Sequence, residues 1–285
     1  MAGALTMLTG TAAQAAQQYV DQRGDFGWQS RDTRSAAGAN LVAPADNAAI
    51  DAVIKFGAAP GGVNAPTHAL NLITPTSNSA KATLGVSNLG TGFGNGTDLG
   101  AAFTAEYKWY TEGAPTYTNR ISPLKIGVQT SAYGSTPAGG TRTGDNDWDM
   151  LLVHFPNSVA ATWNTESISY TSGLWYVVNR GGVGGNTFST PVSSATPQTL
   201  SDIYNGGSGY GGNAALADIF ASTSKLSVIE FGLGSSQQNA NNFVSYLETS
   251  IYNGGDAVHF VPEPSSLAVI GLGAAAMMRR NRRQA

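Results

Sequence analysis

Phe103-Thr104-Ala105-Glu106-Tyr107-Lys108-Trp109 decides the fold class. In an extended chain Phe103, Ala105, Tyr107 and Trp109 fall on one side, and Thr104, Glu106 and Lys108 on the other. Apolar and polar residues alternating in this way mark a strand with one face in a core. The pattern recurs. Ile50, Ala52, Ile54 and Phe56 share a side against Lys55, and Leu124, Ile126 and Val128 repeat it. Leu226, Val228 and Glu230 are expected on one face, with Ser227, Ile229 and Phe231 on the other. Further strands are expected within 82–86, 148–155, 167–170, 174–179, 242–247 and 256–260. Glycine-rich turns separate them at 90–100, 139–144, 181–186 and 206–213. Residues 200–204 and 214–220 read as helical turns, too short to form a helix layer.

Roughly ten short strands without alternating helices indicate an all-β chain, a single antiparallel two-sheet β-sandwich of jelly-roll type. It is expected to fill residues 17–260. No repeating unit is visible along the 285 residues, which argues against a propeller or a solenoid. Composition agrees. Gly, Ser, Thr and Asn number 36, 26, 27 and 20, while charged residues make up only 12%. Long solvated helices need more Glu, Lys and Arg than that. A hydrophobic share of 41% is enough to fill a core and argues against disorder. The absence of Cys excludes disulfides, thiolate metal sites and a thiol nucleophile.

The two ends read as addresses. Residues 1–16 contain no charge before Ala13-Gln14-Ala15, a small-residue cleavage pattern, and are expected to be the remnant of a signal peptide. The basic region of such a leader is missing, since the first cation is Arg23. At the other end, within residues 261–285, Pro262-Glu263-Pro264 precedes an uncharged stretch from Ser265 to Met278. Arg279, Arg280, Arg282 and Arg283 then close the chain. As a short hydrophobic helix that stretch would reach ~21 Å at ~1.5 Å per residue, against a hydrocarbon core of ~30 Å. Four arginines behind it would be held at the cytoplasmic face.

This order of prolines, apolar segment and basic cluster resembles the PEP-CTERM sorting signal of exported bacterial surface proteins. The resemblance implies export and a transient anchorage in the inner membrane. It also implies cutting near the Pro-Glu-Pro by an exosortase-type membrane peptidase, with the protein ending at the cell surface or outside the cell. Pro262, Glu263 and Pro264 would be the sorting signal, and the four arginines the stop anchor. Without the tail Lys plus Arg falls from 15 to 11 and Asp plus Glu from 18 to 17, leaving a net charge of −6. An acidic body with no basic patch is not expected to bind nucleic acid.

Chemistry between the ends is sparse. His68, His154 and His259 lie in no zinc-ligand spacing and are read as surface or satisfied strand residues. No G-x-S-x-G elbow occurs. The glutamates Glu106, Glu112, Glu166, Glu230, Glu248 and Glu263 do not fall into the E-x-D-x-E alternation of jelly-roll glycoside hydrolases, whose two acids must sit ~5–9.5 Å apart. Asp145, Asp147 and Asp149 would share one face of an extended segment. They read as a solvated turn, a calcium site or a catalytic cluster. An EF-hand is excluded because Met150 and Pro156 stand where Gly and Glu are needed. Trp28 and Trp163, next to polar residues, are candidate platforms for sugar rings. Two functions remain open. One is a non-catalytic surface or matrix protein that contacts exopolysaccharide. The other is a secreted glycoside hydrolase or polysaccharide lyase.

Overall fold

The segment Thr104–Thr111 does what its alternation predicts: Ala105, Tyr107, Trp109 and Thr111 are buried while Thr104 is exposed. The protein is represented by a computed structural model. It describes residues 17–23, 25–34, 53–74, 80–87, 93–112, 122–130, 148, 150–156, 161–179, 196–205, 214–234, 239–252 and 257–260. The strands are β1 (Gln17–Tyr19), β2 (Gln29–Arg34), β3 (Ile54–Ala58), β4 (His68–Thr74), β5 (Lys81–Ser87) and β6 (Thr104–Thr111). They continue with β7 (Leu124–Gln129), β8 (Met150–His154), β9 (Asn164–Ser169), β10 (Trp175–Asn179), β11 (Lys225–Leu233), β12 (Ala240–Thr249) and β13 (Ala257–His259). One short helix, α1 (Leu200–Tyr204), and a 3₁₀ segment at Ala214–Phe220 occupy the expected helical turns.

Two sheets face each other. In the seven-stranded sheet the long β12 is the spine. On one side it bonds β6, which bonds β9. On the other its first half bonds β4, with β3 beyond, and its second half bonds β13, with β1 beyond. The six-stranded sheet runs β10-β8-β7-β11-β5-β2. The core lies between them and includes Leu70, Leu84, Tyr107, Trp109, Trp175 and Phe231. Each such side chain contributes about 1.5–3 kcal/mol on burial.

The expected all-β sandwich is therefore present, with three differences. First, β1 pairs β13 in parallel, so the sheet is not purely antiparallel. Second, β1, β2 and β4 are additional strands. Third, a bulge shifts the phase of β11. Leu226 faces Val128, but Val228 faces Gly127 and Ile229 faces Ile126, so Ser227 is the extra residue. Leu226 consequently shares the core face with Ile229 and Phe231, while Val228 and Glu230 take the outer face. The proposed grouping of Leu226 with Val228 and Glu230 is corrected by that one inserted residue. The expected C-terminal helix, residues 265–278, lies outside the described residues, as does the signal-peptide remnant. Among the described residues no helix is long and apolar enough to cross a membrane.

Candidate functional site

The outward face of the seven-stranded sheet gathers polar and aromatic side chains into two rows. Register fixes both. Tyr19 stands beside His259, His259 beside Tyr246, Tyr246 beside Lys108 and Lys108 beside Thr165. One pleat along, Gln17, Ala257, Glu248, Glu106 and Ser167 line up in the same way. Each row crosses the same strands, which lie ~4.8 Å apart. The first row is an aromatic ridge. Tyr19 and His259 stack with centroids 5.4 Å apart, and His259 and Tyr246 follow at 6.1 Å.

A second bulge makes the ridge possible. Val244 faces Trp109, but Tyr246 faces Lys108, leaving Ser245 as the extra residue of β12. In unbroken alternation Tyr246 would point into the core with Val244. The bulge turns it outward, the kind of re-aiming that bulges provide. Once outward, the Tyr246 hydroxyl donates to Glu106 Oε1, and Ser167 Oγ donates to Glu106 Oε2 at 2.8 Å. Both oxygens of Glu106 are thus oriented. Burial and the Glu106 carboxylate together raise the Tyr246 pKa, so its proton stays in place to be donated. Burial lowers the His259 pKa, against the opposing pull of Glu248. Lys108, between Tyr246 and Thr165, is held by its ammonium donating to the Asn64 carbonyl and lies 6.0 Å from the centre of the Trp163 ring. The face therefore offers aromatic edges, two carboxylates, one amine, an amide and hydroxyls on an outward sheet.

The residues singled out from sequence fall elsewhere. Trp28 is 0% exposed, its ring edge-on to Phe260 at 5.0 Å, so it cannot be a sugar platform. Trp163 is 8% exposed. It packs on Tyr110 and Phe243 beneath the loop between β3 and β4, with its Nε1 donating to the Pro60 carbonyl at 2.9 Å. Polar neighbours in sequence misled in both cases: the core covers Trp28, and the loop between β3 and β4 covers Trp163. Asp145, Asp147 and Asp149 lie outside the described residues, and so do Pro262, Glu263, Pro264, Arg279, Arg280, Arg282 and Arg283. No group of three metal-ligating side chains occurs among the described residues. His154 is a satisfied strand residue as read, and His259 belongs to the ridge. Tyr19 and Tyr246 carried no warning in sequence: one sits in a polar three-residue strand, and the other depends on the bulge. Glu106 and Lys108 were legible as outward positions of β6.

No curated protein matches the chain. It is similar to a solved structure of a candidate glycoside hydrolase from Bacteroides vulgatus ATCC 8482, at 10% identity and a TM-score of 0.29 over 73% of this chain and 76% of that one. A likeness this slight carries nothing over to the present chain. The tail is different. Residues 260–283 match the PEP-CTERM protein-sorting motif, beginning at the fully buried Phe260 and running through the prolines, the apolar stretch and the arginines. The chain carries a PEP-CTERM sorting domain, and with it the signal for export and cell-surface sorting through an exosortase system.

Proposed function

We propose that this is a non-catalytic exported protein that contacts polysaccharide through the two-row face of its seven-stranded sheet. The supporting observation is the aromatic ridge of Tyr19, His259 and Tyr246, flanked by Gln17, Glu248, Glu106 and Ser167. Sugar rings have apolar faces that pack on aromatic side chains and hydroxyls that need donors and acceptors. The rows supply both, at a strand spacing close to the length of one sugar unit. Orientation of Glu106 before binding lowers the ordering cost of a contact. Transient anchorage in the inner membrane through the tail belongs to the same reading, since the four arginines oppose translocation.

The test is affinity electrophoresis of the full chain, in mild detergent, through gels cast with a panel of polysaccharides. Retardation by at least one polymer, reduced several-fold in Tyr246→Ala, is expected. Equal mobility in every gel would overturn the reading. A second reading as a hydrolase draws on Glu106 and Glu248, which are register partners on β6 and β12. Directly opposed Cβ atoms lie ~4.5–5.5 Å apart, compatible with a carboxylate pair. Release of reducing ends from a retained polymer, abolished in Glu248→Gln, would favour it. The calcium reading of Asp145, Asp147 and Asp149 is tested by melting the protein in calcium and in chelator. A site filled at a hundred times its Kd adds ~2.7 kcal/mol, lost in Asp147→Ala.

A further inference from the structure

The sorting motif begins inside the folded body. Its first residue, Phe260, is fully buried, with its ring edge-on to Trp28 at 5.0 Å and to Phe231 at 6.0 Å. The Phe260 amide donates to the Ser245 carbonyl of β12 at 2.9 Å. β13, which leads into it, pairs on one side with β12 and on the other with β1. β1 and the residue after it hold that second side at three points. The Tyr19 ring stacks on His259. The amide of Val20, itself fully buried, donates to the His259 carbonyl at 2.8 Å. The Gln18 side chain accepts the Tyr252 hydroxyl at 2.8 Å, and Tyr252 packs against Trp28, the ring that receives Phe260. Without β1 the outer side of β13 would be a sheet edge.

A peptidase takes its substrate as an extended, accessible segment and bonds to the backbone itself. It cannot enter a strand bonded on both sides unless that strand opens first. Beyond Phe260 the chemistry changes within two residues. Val261 is followed by Pro262 and, after Glu263, by Pro264. Neither proline has an amide hydrogen, so neither can extend the ladder of β13. Glu263 stands three residues from Phe260, no more than ~11 Å along the chain. We infer that β1 clamps β13 and so sets the upstream limit of processing: the sorting cut falls C-terminal to Phe260, and the mature body keeps all of β13. In release one peptide C–N bond breaks. Water gives a hydroxyl to the body's new carboxyl terminus and a proton to the tail's new amine. The inference rests on exosortase processing of the tail and is independent of the polysaccharide reading.

The experiment measures the C-terminus of the released protein by mass in the native host, and the protection of β13 in vitro. Released wild type is expected to end at Phe260 or later. In vitro, the full chain in mild detergent is given a broad-specificity protease. The tail should be lost quickly, while cutting within residues 257–260 lags about tenfold behind it. In Tyr19→Ala that lag should shrink several-fold, because the ring stacked on His259 is gone. Tyr19→Phe keeps a ring there and should restore the lag, and Gln18→Ala, which frees only the Tyr252 hydroxyl, should shorten it less. A released form ending before Phe260 would overturn the inference and leave the exosortase reading standing. So would a lag that is the same in wild type, Tyr19→Ala and Gln18→Ala. Absence of any shortened form in the host would overturn both.

Discussion

His154 Nε2 lies 3.0 Å from Glu166 Oε1, and this contact joins one sheet to the other. His154 ends β8 on the core side of the six-stranded sheet. Glu166 reaches it from β9, the edge of the seven-stranded sheet, where its partner Tyr107 marks it as inward-facing. Nδ1 of the same ring lies 2.9 Å from the Leu174 carbonyl oxygen, so both nitrogens have partners. Only 3% of the His154 side chain is exposed, against 19% for Glu166. Burial raises the Tyr107 pKa well above its ordinary value, and the nearby charge of Glu166 adds to this. The pair adds a polar link between the sheets beside the buried Tyr107, Ile168 and Trp175.

Glu166→Ala should therefore leave a buried imidazole nitrogen without a partner, at a cost of about 1–3 kcal/mol. At ~2–4 °C per kcal/mol for a body of this size, the melting temperature should fall by several degrees. Glu166→Gln offers Nε2 an amide that can accept or donate at the same position and should recover most of the loss. If Ala and Gln melt alike, the bond does not stabilise this link.

Gly85 makes a comparable junction on the outer face of the six-stranded sheet. A Cβ there would meet Glu230 Cβ at 2.5 Å, Arg31 Cδ at 2.8 Å and the Ile229 carbonyl at 3.0 Å. The missing side chain lets Arg31 lie across β5 toward Glu230, with Nε–Oε2 at 3.7 Å. Lys125 Nζ donates to the other Glu230 oxygen at 3.0 Å. Gly85→Ala should lower the urea midpoint by an amount equivalent to about 1–3 kcal/mol. Gly57 on β3 has no atom within 4 Å of its would-be Cβ, so Gly57→Ala should be neutral or slightly stabilising. A neutral Gly85→Ala would mean that the three charged side chains rearrange freely.

Alternation made β5 to β13 legible because their core-facing residues are large and apolar. It failed at β1 and β2, Gln17-Gln18-Tyr19 and Gln29-Ser30-Arg31-Asp32-Thr33-Arg34, because each lies at a sheet edge and is built almost wholly of polar residues. For β4 the signal existed: Leu70, Leu72 and Thr74 are buried in strict alternation. The ridge was hidden for a different reason. Bulges at Ser227 and Ser245 each shift the phase of a strand by one residue, and nothing in the side chains announces an extra residue. The aromatic platform was therefore sought at Trp28 and Trp163, which the core and the β3–β4 loop cover, while Tyr246 went unnoticed. The sorting tail needs no fold to be recognised, since the order of its chemical parts carries the signal.

Processing of the tail can be followed in the native host by the mass and location of the protein. Glu263→Ala should leave an uncut, membrane-associated precursor if Glu263, which lies in the matched segment between two prolines, is read by the peptidase as proposed. If the four arginines act as the proposed stop anchor, changing Arg279, Arg280, Arg282 and Arg283 to Gln should instead weaken retention. Normal release of the Glu263→Ala protein would sink the assignment of this residue to peptidase recognition.

His259 makes the body sensitive to mild acid. Burial lowers its pKa in the folded protein, and its Nε2 is shielded from solvent without a hydrogen-bond partner among the described residues. Protonation there would place an N–H with no acceptor against the sheet. The unfolded chain takes up the proton near the ordinary pKa of ~6.5, the folded chain only at lower pH. Between those two values the unfolded state binds more protons, so stability rises with pH across the window. The contribution is complete above ~6.5 and is lost as pH falls toward the folded value. His259→Gln should flatten the melting temperature over this interval while leaving the steeper loss at lower pH, where carboxylates take up protons. Glu248→Gln should act in the opposite sense: without the carboxylate that opposes burial, the folded pKa drops further and the window widens. Melting curves taken between pH ~5 and ~7 decide the matter. Identical pH profiles for wild type, His259→Gln and Glu248→Gln would remove His259 as the titrating group.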